Sequence, residues 1–338
     1  MSSKKDDVKK DVKNEEDQES QKLCWVKHDA KPKRNLDINR PTPRSGHTLS
    51  VIGINGFLFG GIAENSSKSN SDDMAEAAAC NELYHLSLGS AGLEWFRIQT
   101  KGAVPLPRWH HTANLYDNTQ LIIFGGFHTA EHRLNDVWIF DIVNYTWKQP
   151  NPEHNSESLV ACPMTNQAWV NAPSPRGAHS ATLIGDTLYI FGGYGGQGYS
   201  RRDLDDVYAL NCDSWTWSKV QTKGMPPEKR SGHQACAIEK KIYIFGGWSS
   251  SSQFNDLFVL DTEGGAFVWS KLQSVLNTPT WNHASCSVVA IPTWKIFTFG
   301  GLTGTLSDHD RQGTLIDETE IMDTGTGTIP TLLHCPFL

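Results

Sequence analysis

Four arginines stand three residues ahead of a histidine: Arg44 before His47, Arg108 before His111, Arg176 before His179 and Arg230 before His233. A guanidinium offers a fixed fork of charged donors, so converging arginines suit a carboxylate or a phosphate. The histidines also recur in register, with His283 as a fifth copy, and imidazole is a common metal ligand. A second series follows each Gly-Gly doublet: Ile62, Phe127, Tyr194, Trp248 and Leu302, three of them aromatic. Such rings beside guanidiniums add contact area to an anion site. The chain shows no nucleophile–base set, phosphate loop or paired zinc ligands, and Asp308-His309-Asp310 reads as a solvated loop triplet.

The elements that must position these residues repeat too. The doublets are Gly60-Gly61, Gly125-Gly126, Gly192-Gly193, Gly246-Gly247 and Gly300-Gly301, spaced 65, 67, 54 and 54 residues apart. Each ends a short apolar run such as Phe57-Leu58-Phe59 or Tyr243-Ile244-Phe245. Every unit begins with Arg-x-x-His, degraded to Thr280-Trp281-Asn282-His283 in the fifth, and a run with small residues leads into the doublet. An Asn/Asp-acidic pair then opens a third run: Asn81-Glu82, Asn135-Asp136, Asp205-Asp206 and Asn255-Asp256. A run centred on Trp95, Trp147, Trp217 or Trp269 closes the unit. This is the pattern of four short strands, rich in β-branched and aromatic residues and separated by turn formers. The second strand is apolar at nearly every position, as in a strand covered on both faces. The Asn/Asp pair is expected to bond its own backbone and start the turn into the third strand.

Recurring together and in register, the Gly-Gly doublets, the downstream tryptophans and Arg-x-x-His resemble the kelch repeat family of β-propellers. The resemblance covers residues 23–328 and implies an all-β ring of four-stranded blades around a channel. The fifth unit lacks its Trp strand, while Cys24-Trp25-Val26-Lys27 resembles Thr216-Trp217-Ser218-Lys219. Five blades closed by this N-terminal strand are therefore expected; the alternative is six blades, the last one incomplete. Ring symmetry gathers Arg44, Arg108, Arg176 and Arg230 near one channel mouth, with Phe127, Tyr194 and Trp248 on the same face. In some kelch propellers these two positions hold an acidic peptide turn or a peptide C-terminus. The alternative is that each Arg pairs with an acidic residue of its neighbouring blade. Histidines of different blades are expected to lie too far apart for metal bonds of about 2 Å. Trp109, Trp169, Trp248 and Trp281 break the repeat and become candidates for a recognition surface.

The resemblance implies a non-enzymatic protein-interaction module, a scaffold or a substrate-recognition subunit, binding a protein or peptide with acidic or carboxylate groups. A metal-dependent enzyme of the specifier-protein or galactose-oxidase kind is one alternative, and a cytoskeletal or ciliary structural component another. No catalytic residue, metal ligand or cofactor is assigned. The chain has 338 residues, with 30 basic and 37 acidic side chains and a net charge of −7, which argues against a nucleic-acid footprint. Seven scattered cysteines without a Cys-x-x-Cys pair, no apolar signal and no membrane-length run fit a cytoplasmic protein. Residues 1–22 read as a disordered charged tail, and residues 329–338 as a divergent C-terminal tail. Insertions at 62–80 and 150–173 lengthen two connections.

Overall fold

The computed structural model describes residues 40–63, 78–89, 92–150, 159–161, 168–196, 200–250 and 252–272. It also describes, as strand segments, 284–289, 294–299, 302–303, 314–315 and 319–323. Within these residues the chain is all-β. Four units each form a four-stranded antiparallel meander. The first has strands Thr48–Ile52, Asn55–Phe59, Leu83–Gly89 and Gly92–Arg97. The second has Thr112–Tyr116, Gln120–Phe127, Arg133–Asp141 and Thr146–Lys148. The third has Ser180–Ile184, Thr187–Phe191, Val207–Asn211 and Thr216–Lys219. The fourth has Gln234–Ile238, Lys241–Phe245, Leu257–Asp261 and Val268–Leu272, with Lys223–Gly224 added in parallel at its outer edge. A fifth sheet pairs Ala284–Val289, Trp294–Phe299 and Thr319–Asp323. The first strands lie side by side in chain order, as blades of a propeller do. Trp25, Trp281 and the proposed closing strand lie outside the described residues.

In the first three units the second strand is buried against the fourth strand of the next. Phe59 packs on Trp147, Phe124 on Trp217 and Phe191 on Trp269, with ring centroids 5.0, 5.2 and 5.3 Å apart. The recurrent tryptophans are therefore inter-blade core. The next unit's histidine also enters: His111, His179 and His233 set their rings edge-on to the same three phenylalanines. Trp169 is part of this core as well. It is 1% exposed and T-shaped on Trp217, which removes it from the recognition surface expected for it. The insertion that carries it folds back as a hairpin, Leu159–Ala161 with Ala168–Val170.

The doublet fits this packing at both of its positions. Gly125 has φ +61° and Gly126 φ +101°, conformations that cost an L side chain. A Cβ on Gly125 would lie 2.9 Å from the Arg176 carbonyl of the next unit. One on Gly126 would lie 2.8 Å from Cβ of His111 in its own unit. The doublet is thus the place where the blade's own first strand and the next blade's both press against bare backbone.

Candidate functional site

The recurrent arginines are withdrawn from solvent. Arg108, Arg176 and Arg230 are each 0% exposed. Arg108 donates from Nη1 and Nη2 to the two carboxylate oxygens of Asp136 at 2.8 and 2.9 Å, from Nη1 to the Gly125 carbonyl and from Nε to the Leu106 carbonyl. Arg176 with Asp206 and Arg230 with Asp256 repeat this, each also donating to the first doublet carbonyl. Arg44 does the same more loosely, with Glu82 at 3.0 Å and the Gly60 carbonyl at 3.2 Å. Each arginine therefore pairs within its own blade, not with the neighbouring one. The cause is the meander: the third strand returns beside the second, so its leading acidic residue arrives at the doublet end where the arginine enters. The Asn/Asp pair accordingly serves this bond rather than a local turn, and Asn135 donates outward to the Pro173 carbonyl at 3.0 Å.

Histidines stitch one blade to the next. His111 Nε2 hydrogen-bonds Thr48 Oγ1 at 3.0 Å, His179 Nε2 bonds Thr112 Oγ1 at 3.1 Å, and His233 Nε2 bonds Ser180 Oγ at 2.9 Å. Burial, with Arg108 beside it, holds His111 well below the ordinary imidazole value. Burial and Arg176 bring His179 down to about 3. A collar of backbone bonds runs inside them: His110 N donates to Gly46 O, Ala178 N to His110 O and Gly232 N to Ala178 O, at 2.8, 2.9 and 2.9 Å.

Above the collar, the residue after each arginine pairs with the residue after the doublet: Ser45 with Ile62, Trp109 with Phe127, Gly177 with Tyr194 and Ser231 with Trp248. Phe127, Tyr194, Trp248 and Trp109 are all half-buried there. Between Phe127 and Tyr194 lies a cation that the repeat does not supply. Arg133 is 6% exposed, with its guanidinium 5.4 Å from the Phe127 ring centre and 5.2 Å from that of Tyr194. Nη1 donates to the Glu131 carbonyl at 2.9 Å, and Nε is buried without a hydrogen-bond partner. Glu131 itself pairs with Arg201. Arg133 has no carboxylate partner among the described residues. Burial lowers its pKa from the ordinary value, with Tyr194 acting in the opposite sense. The repeat does not reveal Arg133, because the other three compared units lack it. The signal was that irregularity: Ala79, Arg133, Asp203 and Gln253 occupy one place three residues before the paired acid.

Residues 164–328 match the KLHDC2/KLHL20/DRC7 Kelch-repeats domain and residues 108–152 the Kelch motif, together more than half of the chain. The chain belongs to the kelch-repeat family. It is 33% identical to host cell factor 1 of Rattus norvegicus over 271 residues, covering 71% of this chain and 12% of that protein. It is 31% identical to host cell factor 2 of Homo sapiens over 275 residues, 72% of this chain and 32% of that protein. It is 29% identical to the flagellar outer arm dynein alpha chain of Chlamydomonas reinhardtii over 303 residues, 86% of this chain and 6% of that protein. The chain thus spans under a third of the length of these relatives. The kelch repeats and the host cell factor relatives mark it as a protein-interaction module. Among the described residues no helix is long and apolar enough to cross a membrane.

Proposed function

We propose that this kelch propeller is a non-enzymatic recognition module that captures a carboxylate-bearing peptide at the channel mouth between its second and third blades. The observation that supports this is Arg133, a buried guanidinium between two aromatic faces, with an unpaired donor and, among the described residues, no carboxylate partner. A buried charge without a counter-charge is costly, so the site favours an anion that brings one. Phe127 and Tyr194 would supply the flanking contact area, with Trp109 and Trp248 extending the surface to either side. Arg108, Arg176 and Arg230, already saturated, would fix the scaffold that presents them.

One guanidinium balances the single charge of a carboxylate, whereas a phosphate group carries about −1.5 to −2 near pH 7 and calls for more than one cation. The partner is accordingly a protein segment with a free C-terminus or an Asp or Glu side chain. Action in the cytoplasm, with a cytoskeletal or nuclear pool, belongs to the same proposal and draws on relatives named for the flagellar outer arm and as host cell factors. The test is capture from a randomised peptide pool in three forms: free acid, C-terminally amidated, and free acid without Asp or Glu. Enrichment that needs neither source of carboxylate would sink the proposal. Loss with only one altered pool identifies the source.

A further inference from the structure

The collar positions just after the arginine hold small residues in three units: Ser45-Gly46, Gly177-Ala178 and Ser231-Gly232. The second unit alone places two large rings there, Trp109-His110. All four collar residues have left-handed backbones, with φ of +65° at Gly46, +49° at His110, +53° at Ala178 and +62° at Gly232. The backbone bonds from Gly46 through His110 to Ala178 impose that conformation on whatever side chain is present. Glycine is the least strained occupant, and a bulky residue kept in such a place points to a use for its side chain.

That side chain lies beside the peptide site. The His110 imidazole meets Phe127 edge-on, with centroids 6.0 Å apart and planes at 89°, and Trp109 tilts onto the same ring at 5.6 Å. Phe127 is also one of the two rings that hold Arg133. His111, His179 and His233 spend Nε2 on the preceding blade, whereas no hydrogen bond of the His110 ring joins it to a described residue. His110 is half-buried, and burial lowers the pKa of its imidazole, so the neutral ring offers one donor and one acceptor.

We infer that His110 is a specificity-determining contact of this site, its imidazole hydrogen-bonding the peptide backbone next to the carboxylate held by Arg133. The inference rests on the carboxylate reading above. Backbone geometry provides a clean test, because His110→Gly relieves the collar instead of breaking it. The melting temperature of His110→Gly should equal or exceed that of the wild type. Its affinity for the free-acid peptide pool should fall roughly two- to tenfold, the worth of one hydrogen bond. His110→Asn, which tolerates the left-handed backbone and keeps a donor and an acceptor, should recover part of the loss. Wild-type affinity in His110→Gly overturns the inference. Arg133→Met separates the two ideas. If it abolishes capture while His110→Gly does not, only the role of His110 fails. If Arg133→Met also binds normally, the carboxylate reading fails with it.

Discussion

Arg108 and Arg133 are both hidden from solvent, and they are held in opposite ways. Arg108 meets a bidentate carboxylate and two carbonyls, so its charge is answered inside its own blade. Arg133 meets two aromatic faces and one carbonyl, and its Nε is left over. The first arrangement recurs at Arg176 and Arg230; among the described residues the second occurs at one seam. A repeated cation is part of the architecture, and a solitary one is available for something the architecture does not contain.

Removing the answering charge should give the largest effect. Asp136→Ala would strand Arg108 and also free Trp138 Nε1, which donates to Asp136 at 2.8 Å. We expect a loss of about 3–5 kcal/mol of unfolding free energy by urea titration. A loss near zero would mean that the clamp carries no weight and that the comparison is empty. Gly125→Ala attacks the carbonyl that Arg108 shares. The positive φ alone should cost roughly 1–3 kcal/mol, and the close approach to Arg176 O adds to it.

Acid should act on the histidines next to the clamps. The folded pKa values of His111 and His179 lie below the unfolded value, so their contribution to stability is intact above about pH 6.5. It is lost as pH falls, because the unfolded chain then takes up protons that the folded chain refuses until about pH 3 at His179. Between pH 6.5 and 5.5 His179 should remove about 1 kcal/mol, with His111 acting in the same direction, read from denaturation midpoints across that range. A midpoint that rises on acidification would contradict this. The smallest stability effect belongs to Arg133→Met, which should change the unfolding free energy by less than about 1 kcal/mol, since it removes an unanswered charge and leaves apolar contact. A loss as large as that of Asp136→Ala would make Arg133 another structural cation.

Much of the fold was legible from spacing. The apolar runs closed by the doublets mark the second strands and the tryptophans the fourth, and the first four units fold as that order implies. The partners of the arginines were also written in the sequence: Asp136, Asp206 and Asp256 recur in step with Arg108, Arg176 and Arg230. Assigning them to the same blade requires following the meander, which carries the third strand back to the doublet. Trp169 was not legible, because an insertion has no repeat register to say which way its side chains turn. Arg133 was hidden by the same rule that exposed the architecture: reading for what recurs passes over the position that does not.

The most direct test of the central claim is a calorimetric titration of wild type and Arg133→Met. The probe is one peptide selected by the wild type, used as its free acid and in a form with every carboxylate blocked. The account predicts that the wild type loses at least about tenfold in affinity on blocking, and that Arg133→Met, equally stable, no longer distinguishes the two forms. An Arg133→Met variant that keeps the full preference for the free acid would contradict it.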